Sequence, residues 1–584
     1  MLNSLWSAVV VGRGRKRGRG GWRQQLAADP EPEEAAGPSR VGLRHLLKWC
    51  EGHESAYEVK VHMDDAMGDG LKHPMIQKLA GIGKGGKQHC HADLVSLLGT
   101  CGIPQLLTEV EDSYTSCVLL PSTLLGLMHK HYRGEFGRRL GAKVDMLRDF
   151  WSQFMSKPVN REWASHHPVL RGRSAADLEC MVPCTIHQDA GPYSKKSSCD
   201  CWSFSSLLAN GNETLTKYLM ATSIKLSGQK PSDRAWSIIL KDFDDLSTGL
   251  VKGAPVARDE DGTVWSFVLL FAKADQECQC VEWGLPHYGG QDEVCTECLA
   301  NRTNRPFTDL SAGAKWRQTE KMPVEFYLQR PRQPLHPLLA SHYFTRWFCY
   351  LDIMHLLDCK GVAAWTFGGL LHHLLRDDRL GPNREERLAV INSRRASWYT
   401  NRPGSHIMPK IFMASCKNNG WADLSGPAIK AAVTRGAAGF FQSLCHEFYA
   451  GDTAFDVAIR AVLDNLAAIY KLFYESPMFL SDAAVALLKR QCIDFGENYQ
   501  RLRGWAKDTG QLAWPVRPKV HKMQHLPLFA AVINPVFVQC YAEESLVGTT
   551  VRVWRRSMSG RYKGVVQKTV LLKRVAGLMC NFEL

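Results

Sequence analysis

The stretch TVWSFVLLFAKA, residues Thr263–Ala274, runs directly into Asp275. From Phe267 to Ala272 every residue is apolar, so neither face of a strand is left for water. A run this short, rich in aromatic and β-branched residues and apolar on both sides, predicts a strand buried inside a sheet. Upstream, Asp233–Leu250 carries helical spacing. Before it lie three further β-capable runs, Met181–Ile186, Trp202–Leu208 and Tyr218–Ile224, the last two separated by the turn-forming Ala209–Asn212. The predicted order is strand, strand, strand, helix, strand.

That order has a chemical consequence if the first strand lies beside the fourth. An acid at the end of the first then sits next to an acid at the end of the fourth. Asp189 follows the first predicted strand and Asp275 closes the fourth. A third acid on a late helix would complete the cluster. Glu543 and Glu544 open such a helix, predicted over Glu543–Leu578 as one helix or a broken one. Three converging carboxylates are hard oxygen ligands for a pair of Mg²⁺ or Mn²⁺ ions that keep positions open for phosphate and water. Any one of these acids alone is more often a solvated surface group, so the weight rests on their order.

Four motifs occur in sequence. The first is His187–Pro192 (HQDAGP) followed by Trp202-Ser-Phe. The second is Leu269–Asp275, with Cys295-Thr-Glu-Cys298 twenty residues later. The third is Leu351–His355 (LDIMH), an Asp-x-x-His. The fourth is Tyr541–Gly548 (YAEESLVG). In this order they resemble the DDE transposases of the CACTA (En/Spm-like) group and their relatives, over about two thirds of the chain from Val182 onward. Ala190 stands where glycine is usual after the first aspartate, and the residues after Glu544 also differ from the family pattern. The resemblance implies an α/β, ribonuclease-H-like mixed-sheet core with a zinc-binding loop, a large all-helical insertion and an N-terminal helical domain. It implies Asp189, Asp275 and Glu544 as catalytic metal ligands, with Asp352, His355 and Glu543 supporting them. On a helix, residues three apart share a face, so Asp352 and His355 can act together; the alternative is a helix cap beside a core histidine.

These readings divide the chain as follows. Residues 1–40, with the basic, glycine-rich run Gly12–Arg19 and an acidic, proline-rich stretch, cannot offset the entropy of ordering and are expected to be a disordered tail. Residues 41–175 read as a helical domain. Residues 176–275 hold the first part of the core, 276–310 the zinc loop, 311–360 the core continuation with Asp-x-x-His, 361–525 the helical insertion, and 526–584 the glutamate-bearing C-terminal helix. Within the insertion, Ala454–Tyr474 and Ser481–Trp505 have amphipathic spacing.

Nineteen cysteines with no secretory leader point to thiols or metal ligands rather than disulfides. Cys278, Cys280, Cys295 and Cys298 form two close pairs suited to tetrahedral Zn²⁺, with His287 between them as a substitute ligand. Cys199 and Cys201 read as core thiols. The formal net charge of +14 favours a polyanion partner. Lys195, Lys196, Arg517, Lys519, Lys522, Arg552, Arg555 and Arg556 are candidate DNA contacts, with Trp554 interleaved, against the plainer reading of solvated helix faces. No apolar stretch is long enough to span a membrane, since Leu526–Ala542 is broken by two prolines. Gly81–Lys87 is followed by Gln88 rather than the Ser or Thr of a nucleotide-binding loop. The expected function is DNA cleavage and strand transfer at transposon ends in the nucleus, compatible with a homo-oligomer. Two rivals stay open: a domesticated transposase that only binds DNA, and a zinc-stabilised interaction protein without catalysis.

Overall fold

The computed structural model describes residues 38–68, 74–100, 103–110, 115–195, 197–209, 213–225, 233–285, 294–320, 336–345, 347–400, 402, 406–558 and 563–583. Most of the expected N-terminal tail, together with Lys196 and His287, lies outside them. The fold is mixed α/β and helix-rich, with a small mixed sheet. It separates into two units. The first comprises the described residues of Met1–Trp151, Arg173–Ala272 and Ala542–Leu584; the second comprises Ser152–Gly172 and Lys273–Tyr541.

The first unit is built on four strands, β1 (Met181–Pro192), β2 (Ser198–Ser206), β3 (Tyr218–Lys225) and β4 (Ser266–Lys273), in the spatial order β3-β2-β1-β4. β1 pairs antiparallel with β2, and β2 antiparallel with β3. The Ser266 amide, at the start of β4, donates to the carbonyl of Cys180, just before β1, at 3.0 Å. The two strands therefore start together and run the same way, as the crossover through the helix Asp233–Ser247 requires. β4 is buried along nearly its whole length, the fate its two-sided apolar run demands.

Period-2 alternation assigns the faces. On β2, Trp202 stacks on Trp236 at 4.7 Å between ring centroids, and Phe204 meets Phe243, so this face is covered by the Asp233–Ser247 helix. Cys199 and Cys201 point the other way, into a core with Leu546, Val547, Val551, Trp554 and Val570 from the C-terminal helices Tyr541–Ser557 and Lys563–Glu583. They are core thiols. The N-terminal helix Pro38–Cys50 packs on the last of these helices, where Lys573 lies over the Trp49 ring at 4.2 Å.

One sequence boundary shifts. β1 extends six residues past Ile186, so Asp189 lies within the strand rather than after it. Gln188, Asp189 and Ala190 broke the apolar pattern, yet their backbones pair in register with Trp202, Cys201 and Asp200. Polar residues persist in a central strand when its partner's ladder satisfies the backbone.

The second unit is helical. The antiparallel pair Ala454–Glu475 and Asp482–Asp508 starts at Thr453 and Ser481, whose side chains accept from the amides of Asp456 and Ala484 as N-caps. The Val362–Leu374 helix is buried almost throughout. A Cβ on its Gly369 would lie 2.7 Å from the Trp514 ring, so glycine permits that packing. Among the described residues no single helix is long and apolar enough to cross a membrane.

Candidate metal centre and carboxylate sites

In the second unit, Cys295, Cys298, His521 and His525 are all buried, and their ligand atoms lie within 4.8 Å of one another. The cysteines come from a loop after β4. The histidines lie four residues apart, where the helix Pro518–Met523 runs on into the next turn, and so share one face. Cys298 Sγ is 3.3 Å from His521 Nε2, which is 3.2 Å from His525 Nε2. The amides of Glu297 and Ala300 donate to the sulfurs of Cys295 and Cys298 at 3.3 and 3.4 Å. His525 Nδ1 lies 3.3 Å from a Glu320 carboxylate oxygen, and the Trp316 ring packs edge-on against both imidazoles.

The electrostatics are divided: of the three shifts, only that of Cys295 is toward the deprotonated form that a metal takes. Burial alone would raise the Cys295 thiol, but hydrogen bonding from Cys298 and the fields of His525 and His521 outweigh it and hold Cys295 well below the ordinary thiol range. Burial and the neighbouring Cys295 push Cys298 up. His525 is lifted to about 9: burial opposes its charge, but Cys295 and then Glu320 favour it. Two thiols and two imidazoles arranged in this way can hold a metal ion.

This set revises the sequence expectation. Cys295 and Cys298 belong to it. Cys278 and Cys280 do not; they are buried on the short helix Gln276–Val281. The other two members are His521 and His525, which stand among basic residues in the sequence. Their i, i+4 spacing was visible, but nothing local ties them to cysteines more than two hundred residues away. A second group, His45, Glu54 and His62, lies at the surface of the first unit.

The carboxylates divide between the units. In the first, Asp189 and Gly191 share the sheet face that carries the C-terminal helices. A Cβ on Gly191 would lie 2.5 Å from Val551 Cγ2 and 3.0 Å from Val547 Cγ1. Tyr193 stacks on Trp554 at 5.5 Å, and Arg555 donates to the Pro192 carbonyl at 2.8 Å. Strand and helix therefore run the same way. Two residues back along a strand is about 6.6 Å, or roughly four residues of helix rise. Asp189 is thereby level with the first turn of the helix, where Glu544 sits. The two acids are each partly buried. Glu543 differs: it is 1% exposed and pairs with Lys217 at 3.2 Å.

Asp275, Asp352 and His355 belong to the second unit. Asp275 caps the Gln276–Val281 helix, accepting from the Cys278 amide at 2.6 Å. Asp352 is 5% exposed and accepts from His355 Nδ1 at 2.6 Å and from the amides of Met354, His355 and Cys540 at 3.0–3.2 Å. Burial would raise its pKa, but the His355 hydrogen bond and charge and these amides hold it below the usual carboxylate range. The chain then makes one π-helical turn, Met354–Asp358, a geometry frequent at functional sites. Asp352, His355, Lys519, Lys522, Gln276 and Gln279 line one small open cleft. Burial lowers the Lys519 pKa against the opposing fields of Cys359, Asp275 and Asp352.

The basic residues singled out from sequence are mostly committed within the protein. Arg552 donates to Thr549 and Arg555 to the β1 end, while Arg556 pairs with Glu58 at 3.5 Å. Trp554 is a core residue bonded to Thr222. Arg517 lies over the Trp365 ring, Lys519 donates to the Cys359 and Lys360 carbonyls, and Lys522 is buried. Lys195 is exposed. No family model and no curated protein matches the chain.

Proposed function

We propose that this protein is a transposase-like polynucleotidyl transferase with a ribonuclease-H-like core, acting on DNA in the nucleus. The observation that carries the reading is the contact of the central strand β1 with the Tyr541–Ser557 helix at Gly191, Pro192 and Tyr193, from which ideal strand and helix rise bring Asp189 level with the turn of Glu544. The strand order β3-β2-β1-β4 supports it. Asp275 is counted with these two acids only as the sequence resemblance implies; its carboxylate caps the Gln276–Val281 helix.

Partly buried carboxylates from a strand and a helix are hard oxygen donors, which fits Mg²⁺ or Mn²⁺. Bound there, such an ion supplies Lewis-acid charge to a scissile phosphate. The protein's own contribution is positional. Asp352 orients the His355 ring through Nδ1 and holds the Cys540 amide, fixing the chain two residues ahead of Ala542. Glu543 is buried against Lys217, and the partly buried Glu544 is the acid proposed for the reaction.

The Cys295, Cys298, His521 and His525 set fits Zn²⁺: two thiol and two imidazole ligands, amide bonds to both sulfurs, and a carboxylate behind one histidine. With four protein ligands the site is closed, so its role is structural.

The test is nicking and strand transfer of DNA in Mg²⁺ or Mn²⁺. Activity lost in Asp189→Ala and in Glu544→Gln supports the reading; an Asp189→Ala protein as active as the wild type overturns it. The capping role of Asp275 favours one rival, a DNA-binding relative without turnover, for which the wild type would bind DNA and nick nothing in either metal.

A further inference from the structure

Between Arg387 and His446 the second unit carries eight Lys and Arg residues and a single acid, Asp423, which is 2% exposed. Four of the eight cations are engaged: Arg387 with Asp378, Arg394 with Glu447, Arg395 with the Met408 carbonyl and Arg435 with Tyr474. The other four, Arg402, Lys410, Lys417 and Lys430, are exposed, and none forms an ion pair among the described residues. The acid that would ordinarily neutralise such a surface is buried.

Apolar groups are exposed within the same segment. Phe412 is 58% exposed and Ile407 44%. Lys410 lies 5.9 Å from the Phe412 ring centroid, and the Arg402 guanidinium lies over Trp398 at 3.7 Å. Residues 408–411 are not a loose loop. Met408 and Ile411 are wholly buried. The Ile411 amide and carbonyl both bond the Asn392 side chain at 2.9 Å, and Arg395 holds the Met408 carbonyl at 2.8 Å. The segment is thus clamped along the Arg384–Thr400 helix while Phe412 and the lysines are held outward. Leaving an aromatic side chain in water forgoes the favourable burial that its neighbours have.

We propose that residues 406–430 form a binding surface for single-stranded nucleic acid, with Lys410, Lys417 and Lys430 on phosphates and the Phe412 ring stacked on an unpaired base. Unpaired cations supply sequence-independent affinity, and an exposed ring supplies a face that any base can stack on. The proposal rests on the DNA-partner reading above and specifies where the strand is held.

The experiment is fluorescence anisotropy of the full-length protein with labelled single-stranded and duplex oligonucleotides over a range of salt. The variants are Lys410→Ala/Lys417→Ala/Lys430→Ala, Phe412→Ala, and a charge-matched control at exposed sites of the first unit, Lys130→Ala/Lys143→Ala/Lys241→Ala. Expected is a loss of about 10-fold or more in single-strand affinity for the lysine triple, with its log–log salt slope smaller by roughly 2 at ~0.7 per phosphate contact. Phe412→Ala should lose about 10-fold on single strands and little on duplex, and the control should bind as the wild type does. A lysine triple that keeps wild-type affinity and slope overturns the site while leaving DNA binding intact. Lysine dependence without any Phe412 effect overturns the single-strand assignment. A wild type that binds neither oligonucleotide overturns the DNA-partner reading itself.

Discussion

The sulfur of Cys298 lies 3.3 Å from Nε2 of His521, 223 residues further along the chain. With Cys295 and His525 this contact closes a four-ligand group inside the second unit. The purified protein should carry about one equivalent of metal by elemental analysis, since four protein ligands saturate one tetrahedral ion. His521→Ala should lose it, whereas Cys278→Ser should keep it, because Cys278 lies outside the group. Glu320→Gln removes only the carboxylate behind His525, and competition with a chelator should show affinity weaker by about 10–100-fold. Full metal retention in His521→Ala would exclude this ligand set.

Gly191 lets β1 close on the Tyr541–Ser557 helix. Gly191→Ala forces a methyl into a space where Val551 Cγ2 would be 2.5 Å away. Overpacking of this kind costs about 1–3 kcal/mol. Adding Val551→Ala removes the obstructing atom and should recover part of that loss in urea unfolding. If the double variant is no more stable than Gly191→Ala, the strand and helix do not meet there, and the alignment of Asp189 with Glu544 falls with it.

Asp358 gives a pH dependence of definite sign. Burial raises its pKa to about 7, against the lowering effects of Tyr470, Tyr541 and Arg435, and its Oδ2 accepts from the Tyr541 hydroxyl at 2.6 Å. The folded state therefore favours the neutral carboxyl. Its stabilising contribution is complete below the ordinary carboxylate pKa near 4 and is lost as pH rises through about 7, by at most about 4 kcal/mol. Asp358→Asn keeps a group that can accept from one tyrosine and donate to the other, but it cannot ionise. Thermal midpoints measured from pH 5 to pH 8 should fall more steeply with pH in the wild type than in the variant. Parallel slopes would place the titration elsewhere.

These expectations rest on features that the sequence disclosed unevenly. The strand order was legible because Phe267–Ala272 leaves no polar face and Asp233–Ser247 has helical spacing. The reach of β1 was not, because Gln188 and Asp189 are held in the strand by pairing with β2, a tertiary effect. The Cys-x-x-Cys showed, but its histidine partners meet it only through the fold. Local composition also misled at Trp554, which sits among arginines as a nucleic-acid stacking residue would, yet is buried with its indole N–H on Thr222. Charge density picked out basic runs but could not tell an arginine that ties a helix to a strand from one that faces solvent.

The two adjacent glutamates at the start of the C-terminal helix pair should separate structure from chemistry. Glu543 is buried against Lys217, so Glu543→Gln leaves a part-buried ammonium without its counter-charge. Breaking a buried pair costs about 3–5 kcal/mol; with Lys217 partly exposed, the lower end of that range is expected in urea unfolding. Glu544 is only partly buried, and Glu544→Gln should cost less stability than Glu543→Gln. Activity should show the reverse order. If Glu544 is a metal-binding acid, its neutral variant should lose nicking outright while still binding DNA, and Glu543→Gln should keep turnover in proportion to the folded fraction. A Glu544→Gln protein that unfolds early and nicks normally would assign the structural role to Glu544 and move the search for the third acid to Glu543.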